Sequence, residues 1–144
     1  MQLTPYLFFS GKCDEAIAFY HQAVGAHLAF KMTWGDMPPE QSHHGCGSAG
    51  PLPAEKIMHA QLRIGDSELM MCDSPDARPA MAGCAIALST VDREEGERWF
   101  ANLAVGGEIM QTWEETFWAN GFGMLTDKFG VTWMVSAVKT QARG

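Results

Sequence analysis

Hydrophobic positions in this chain follow two periods, and the order in which those periods alternate occurs twice. A short apolar run from Leu3 to Phe9 leads into a stretch where Ala16, Ile17, Tyr20, Ala23 and Val24 recur at three- and four-residue spacing. That spacing is one stripe of an amphipathic helix, predicted from about Lys12 to Val24. Ser10 is the expected cap, Asp14 and Glu15 favour the positive end of the helix dipole, and Gly25 supplies a left-handed stop. The run from Ala29 to Trp34 predicts the next strand. The order then returns. A run from Ala85 to Thr90 precedes a helix predicted over about Asp92 to Val105, with Trp99, Phe100 and Leu103 as its stripe and Gly106 as its stop. Asp92 and Glu95 have capping-box spacing, and Glu108 to Trp113 predicts the following strand. Ala23-Val24-Gly25-Ala26 is echoed by Ala104-Val105-Gly106-Gly107, 81 residues later. A recurrence of this kind marks a duplicated module.

Each half also predicts a closing hairpin. Between residues 57 and 73 two strands flank a turn at Gly65-Asp66. The first alternates, with Met58, Ala60, Leu62 and Ile64 toward one side and Ile57, His59, Gln61 and Arg63 toward the other. Phe122 to Thr126 and Val131 to Ala137 flank a second turn at Asp127-Lys128-Phe129-Gly130. Each half therefore reads β-α-β-β-β, module one at about 1–75 and module two at about 83–140, within a single domain over 1–144. Gly65 and Gly130 are 65 apart rather than 81, so the first half carries extra chain. It falls in the Pro- and Gly-rich stretch from Gly35 to Glu55, about residues 35–55, whose length fits either a mobile surface loop or a functional lid.

Charge and composition remove several classes of function. A net charge of -7 argues against nucleic acid or an anionic membrane surface as partner, because both select a basic face. No apolar stretch is long enough for a membrane span, and the start of the chain lacks a signal-peptide pattern. Cys13, Cys46, Cys72 and Cys84 form no C-x-x-C pair, which suggests reduced thiols and a cytoplasmic location. The turn Phe9-Ser10-Gly11-Lys12 is not the glycine-rich turn of a nucleotide-binding methyltransferase, and no nucleophile elbow or P-loop occurs.

The tandem modules resemble the vicinal-oxygen-chelate (glyoxalase/bleomycin resistance/dioxygenase) superfamily, and several segments resemble its PhnB-like, demethylubiquinone-methyltransferase-like branch. These are Pro5-Tyr6-Leu7-Phe8-Phe9, Ala16-Ile17-Ala18-Phe19-Tyr20, Gly35-Asp36-Met37-Pro38, Ile57-Met58-His59-Ala60, Asp73-Ser74-Pro75 and the long run from Thr116 to Met134. The resemblance implies an α+β fold: an eight-stranded cup around a cavity, with two chains commonly paired as a homodimer. The alternative is a ferredoxin-like α+β dimer. The resemblance also implies divalent-metal positions at Pro5, at Leu69 or Met70, at Ala85 or Ile86, and at Met134. None of these carries a suitable donor, because Pro, Ala, Leu and Ile offer none and thioether sulfur is a poor ligand for hard or borderline ions. No metal or other cofactor is therefore expected. His43, His44 and Cys46 cluster in the loop, where adventitious nickel or zinc binding is the expectation.

His59, Gln61 and Arg63 share one strand face, and in a cup they would line the cavity, suiting a small polar or anionic molecule. The competing reading is a structural hydrogen-bonded network, or a solvent-facing edge. Trp34, Trp118 and Phe122 are candidates for an apolar ligand wall, with core packing or a dimer interface as the alternative. Two functions stay open: metal-free binding of a small molecule, and an enzyme using a divalent metal or His59 as acid or base.

Overall fold

A computed structural model of the chain describes residues 1–36, 52–74 and 81–139. The chain divides into two compact units, Met1–Pro79 and Ala80–Gly144, with matching orders of elements. The first unit comprises β1 (Tyr6–Phe9), α1 (Cys13–Val24), β2 (His27–Thr33), a short 3-10 helix (Trp34–Asp36), β3 (Ile57–Ile64) and β4 (Ser67–Asp73). The second comprises β5 (Ile86–Thr90), α2 (Arg93–Leu103), β6 (Glu108–Glu114), β7 (Ala119–Thr126) and β8 (Thr132–Val138). Each unit holds one four-stranded sheet, ordered β1-β4-β3-β2 in the first and β5-β8-β7-β6 in the second. The outer pairs β1–β4 and β5–β8 are parallel, and the remaining neighbours are antiparallel. The expected α+β fold of two β-α-β-β-β modules is what the sequence forms. A ferredoxin-like half would not need the fifth element that both units contain. Residues 37–51 of the Gly35–Glu55 stretch lie outside the described residues, and with them the expectation of a mobile loop or lid.

The helix ends show which predictions local sequence could support. Gly25 caps α1 at φ 73°, and its N–H donates to the His21 carbonyl, as expected of a left-handed stop. A Cβ at Gly25 would meet nothing within 4 Å, so only backbone strain opposes substitution. Gly25→Val is accordingly expected to destabilise by about 1–2 kcal/mol, the cost of a β-branched residue in that region; an unchanged denaturant midpoint would contradict this. Ser10 does not cap α1. The residue at the cap is Lys12, which makes no side-chain capping bond. A carboxylate from the far end of the module does this work instead: Asp73 Oδ1 accepts from the Cys13 N–H at 2.9 Å, and Oδ2 accepts from the Ile57 N–H at 3.0 Å.

At α2, Asp92 Oδ1 accepts from the Glu94 and Glu95 N–H groups as expected. The Glu95 carboxylate, however, takes the Thr90 hydroxyl at 2.7 Å, while the Asp92 N–H donates to Thr90 Oγ1 at 3.1 Å. Thr90 thus relays the second half of the box. The helix stops at Leu103, earlier than predicted, and Gly106 (φ 76°) serves the turn that follows.

One face of each sheet packs under its helix. Leu7, Phe9, Ala60, Leu62, Leu69 and Met71 are buried in the first unit, with Ala16, Tyr20, Ala23 and Val24 from α1. Trp133, Val135, Ala137 and Leu125 play this part in the second, with Phe100 and Leu103 from α2. Trp99, expected on the stripe, is only half-buried. The turn between β7 and β8 is organised by Asp127. Its Oδ1 accepts from the Phe129 and Val131 N–H groups and its Oδ2 from the Trp133 indole N–H at 2.9 Å, with Gly130 at φ 87°. Ile57 departs from the predicted alternation and is wholly buried. The β2–β3 register shifts between Met32 and Thr33, so Thr33 pairs with Ile57 while Met32 pairs with His59. Among the described residues no helix is long and apolar enough to cross a membrane.

Candidate functional site

The opposite face of the first unit's sheet is not packed by α1, and it holds the polar residues that alternation places there. His59, Gln61 and Arg63 do share this face, yet they do not act as one group. The Tyr6 hydroxyl and His59 Nδ1 are hydrogen-bonded at 2.9 Å, partly buried, between β1 and β3. Burial raises the Tyr6 pKa, with the nearby Cys13 thiol adding to it, so the phenol keeps its proton. In the tautomer in which the Tyr6 hydroxyl donates to Nδ1, the ring hydrogen sits on Nε2. The Tyr6 and Phe30 rings flank the imidazole with centroids at 5.6 and 6.0 Å, and Phe8 lies 5.3 Å from Tyr6.

Gln61 and Arg63 are held by a residue that the sequence reading did not single out. Glu68 Oε2 accepts from Gln61 Nε2 at 2.9 Å, and Oε1 accepts from an Arg63 guanidinium N–H at 3.1 Å. The signal for Glu68 was present in the hairpin register, which sets Arg63 opposite Glu68 across a turn at Gly65. The signal for Tyr6 was weaker, since β1 reaches β3 only through β4 and that order is not written locally.

The aromatic candidates separate. Trp34 is buried at 6% exposure, and its indole N–H donates to the Asp73 carbonyl at 3.4 Å, so it braces the end of β4. Trp118 and Phe122 form an edge-on pair in the second unit, centroids 4.7 Å apart, with Trp118 46% exposed and Phe122 buried. The Thr116 hydroxyl accepts from the Trp118 and Ala119 N–H groups and so fixes that loop. His43, His44 and Cys46 lie outside the described residues.

The positions at which the resemblance places metal ligands do not fit a divalent ion. Pro5 precedes β1; Leu69 is buried on the helix side; Met70 stands opposite Tyr6; Met134 stands opposite Ala87; Ala85 and Ile86 open β5. No nitrogen or oxygen donor is present among those side chains, and no chemistry is derived through a metal. Among the described residues no three His, Cys, Asp or Glu side chains gather in metal-binding geometry.

The buried acids are structural. Asp73 and Asp127 spend their carboxylates on backbone and indole N–H groups, leaving neither placed to take a proton from a substrate. Cys13 is free and buried, and its pKa is driven well above 9.0 by burial first, then by Asp73 and Asp14, against a smaller lowering by Lys31. A raised acid pKa means that the folded chain holds protons the unfolded chain releases. The stability from Cys13 and Tyr6 is therefore complete below their ordinary values of 9.0 and 10.0 and is lost as pH rises through the folded values. Alkaline destabilisation beginning near pH 9 is expected, and Cys13→Ala with Tyr6→Phe should flatten it in denaturant titrations; an unchanged alkaline limb in the double variant would contradict this. Cys84 is free and exposed, whereas Cys72 is disulfide-bonded, which corrects the expectation that all four thiols are reduced.

Comparison with known proteins fits these modules. The family model of the Glyoxalase/Bleomycin resistance protein/Dioxygenase superfamily matches residues 2–135. Protein YjdN of Escherichia coli (strain K12) is 46% identical over 144 residues, covering 98% of each chain. Protein PA1353 from Pseudomonas aeruginosa superposes with a TM-score of 0.81 at 40% identity, covering 97% of this chain and 99% of that one. A putative 3-demethylubiquinone-9 3-methyltransferase, PhnB protein, from Bacillus cereus gives a TM-score of 0.69 at 25% identity, covering 94% and 98%.

Proposed function

This chain belongs to the Glyoxalase/Bleomycin resistance protein/Dioxygenase superfamily, and from that premise we propose that it binds a small polar molecule at His59 on the open face of module one, without the superfamily metal. The observation that carries the reading is the Tyr6–His59 hydrogen bond. It fixes one imidazole nitrogen on a partly buried face that also carries the Tyr6, Phe8 and Phe30 rings, the composition of small-molecule sites. Gln61 and Arg63 extend the polar side of the site, with Glu68 balancing the guanidinium charge. An anionic group is thus received less well than the sequence suggested, and a neutral acceptor such as a carbonyl suits the site better.

Pairing of two chains belongs to the same proposal. The edge strand β6 presents Ile109 and Met110 at 49% and 57% exposure, apolar surface of the kind that an interface covers.

Saturation-transfer NMR with small carbonyl compounds and carboxylates tests the site. His59→Ala is expected to remove the contacts of any compound that wild type binds. Its stability cost should be only about 0.5–1.5 kcal/mol, the value of one partly exposed hydrogen bond. Hits that survive His59→Ala, or a loss of several kcal/mol, would favour a structural network.

The second reading, an enzyme with His59 as acid or base, is supported by the same imidazole orientation, since a fixed Nδ1 is how a general base is aimed. Turnover of a bound compound by wild type but not by His59→Ala would select it.

A further inference from the structure

Two exposed histidines meet where α1 gives way to β2. His21 lies in the last turn of the helix, His27 opens the strand, and Gly25 at φ 73° turns the chain back between them. The ring centroids are 6.0 Å apart and the planes cross at 63°. His21 Nδ1 lies 2.7 Å from the Ala26 carbonyl oxygen. A carbonyl oxygen only accepts, so the hydrogen is on Nδ1, and in the neutral ring the lone pair is on Nε2. An imidazole that donates one nitrogen to a backbone carbonyl and keeps the other bare is oriented as metal-binding histidines are.

Geometry and charge both favour a cation between the two rings. Two imidazoles held through Nε2 to one tetrahedral ion, with bonds of about 2.0–2.1 Å, have centroids roughly 5 Å apart. The exposed His27 side chain closes the remaining distance by a small rotation. The last turn of α1 is the negative end of the helix dipole, and the chain as a whole carries a net charge of -7. Arg63 stands opposite His27 in the β2–β3 register, but its guanidinium is paired with Glu68 Oε1 at 3.1 Å.

We infer that His21 and His27 form a surface site for a borderline divalent ion of the zinc class, which clamps the end of α1 to the start of β2 and completes its coordination with water. Imidazole suits such ions, whereas magnesium and calcium select oxygen donors. Two protein ligands are fewer than the three or four of resident zinc sites, so the ion exchanges and is lost on desalting. The site therefore fills from added ion and leaves the purified chain nearly metal-free. It uses none of the superfamily positions and is independent of His59. Because the pair is assembled only in the folded chain, occupancy stabilises module one.

Zinc titration of the full chain carrying His43→Ala/His44→Ala, with its histidines labelled with nitrogen-15, tests this. That background removes the loop histidines as competing donors. One zinc ion per chain should bind, moving the Nε2 resonances of His21 and His27 and leaving those of His59 in place. The urea midpoint should rise with zinc concentration. His21→Ala and His27→Ala should each weaken zinc binding by about tenfold or more, and the two together should cost less than the product of the single losses, because the ion needs both rings. His27→Ala should keep the zinc-free midpoint of its parent, since the ring is exposed. Magnesium at the same concentration should move neither ring. No zinc binding, zinc binding that survives either substitution, or shifts centred on His59 would overturn the inference.

Discussion

Replacing Gly121 by valine is expected to destabilise the second module more than any other single change considered, by about 3 kcal/mol or more. Gly121 sits on β7 opposite Ala137, on the face under α2, and a Cβ there would overlap the Trp113 indole carbons. The ring cannot retreat easily, since it also lies against Gly96 of α2, where an added Cβ would come within 2.9 Å of it, and stacks on Phe100 at 5.8 Å. Gly123, two residues on, faces Phe100 in the same way, at 2.5 Å from an added Cβ. These glycines are therefore clearances for large rings rather than turns, and their cost is steric, unlike that at Gly25. The mechanism predicts coupling. Gly121→Ala combined with Trp113→Leu should cost less than the sum of the two single changes, by about 1 kcal/mol or more. Trp113→Phe should be mild for its size, because among the described residues the buried indole N–H has no partner, so its removal loses no bond there. Strict additivity in the Gly121–Trp113 cycle, measured by urea unfolding, would contradict the account.

Asp73→Ala should cost about 3–5 kcal/mol, the range for breaking a buried network. The carboxylate is 1% exposed and joins three segments of module one: it ends β4, accepts from the first N–H of α1 and accepts from the first N–H of β3. Removing it strands two buried donors, each worth about 1–3 kcal/mol when left unpaired. Asp73→Asn separates charge from connectivity, because the amide retains one acceptor oxygen. It should recover about half of the loss. An Asp73→Ala protein with a wild-type denaturant midpoint would show that water replaces the carboxylate without penalty.

Much of the fold was legible in the chain, because the relevant signals are local and repeated. The stop at Gly25, the cap at Asp92 and the turn chemistry at Asp127 to Gly130 act within a few residues, and the structure places them as read, while the helical stripes hold apart from Ile17 and Trp99, which are only half-buried. What escaped was carried by pairing at a distance. The α1 cap comes from Asp73, 60 residues away, so a search near Ser10 could not find it. Ile57 looked like a member of the polar face until the register shift beside Thr33 moved it inward.

The candidate site shows the same division. Alternation correctly put His59, Gln61 and Arg63 on one face, but their partners, Tyr6 and Glu68, depended on strand order and hairpin register. Those partners change the chemistry, since Glu68 turns an apparent anion receptor into a balanced pair while Tyr6 aims the histidine. Trp34 could be a ligand wall or core by residue type; it is buried, with its indole N–H donated to the Asp73 carbonyl.

The central claim is that this chain works through the side chains of its module-one face and not through a metal at the superfamily positions. The most direct test is elemental mass spectrometry of tag-free protein purified without chelators or nickel resin, on wild type and on a His43→Ala/His44→Ala variant. The account predicts well below one divalent ion per chain in wild type, with the remaining traces falling further in the variant. One equivalent per chain, retained when both loop histidines are gone, would contradict it and return the superfamily's metal chemistry to this fold.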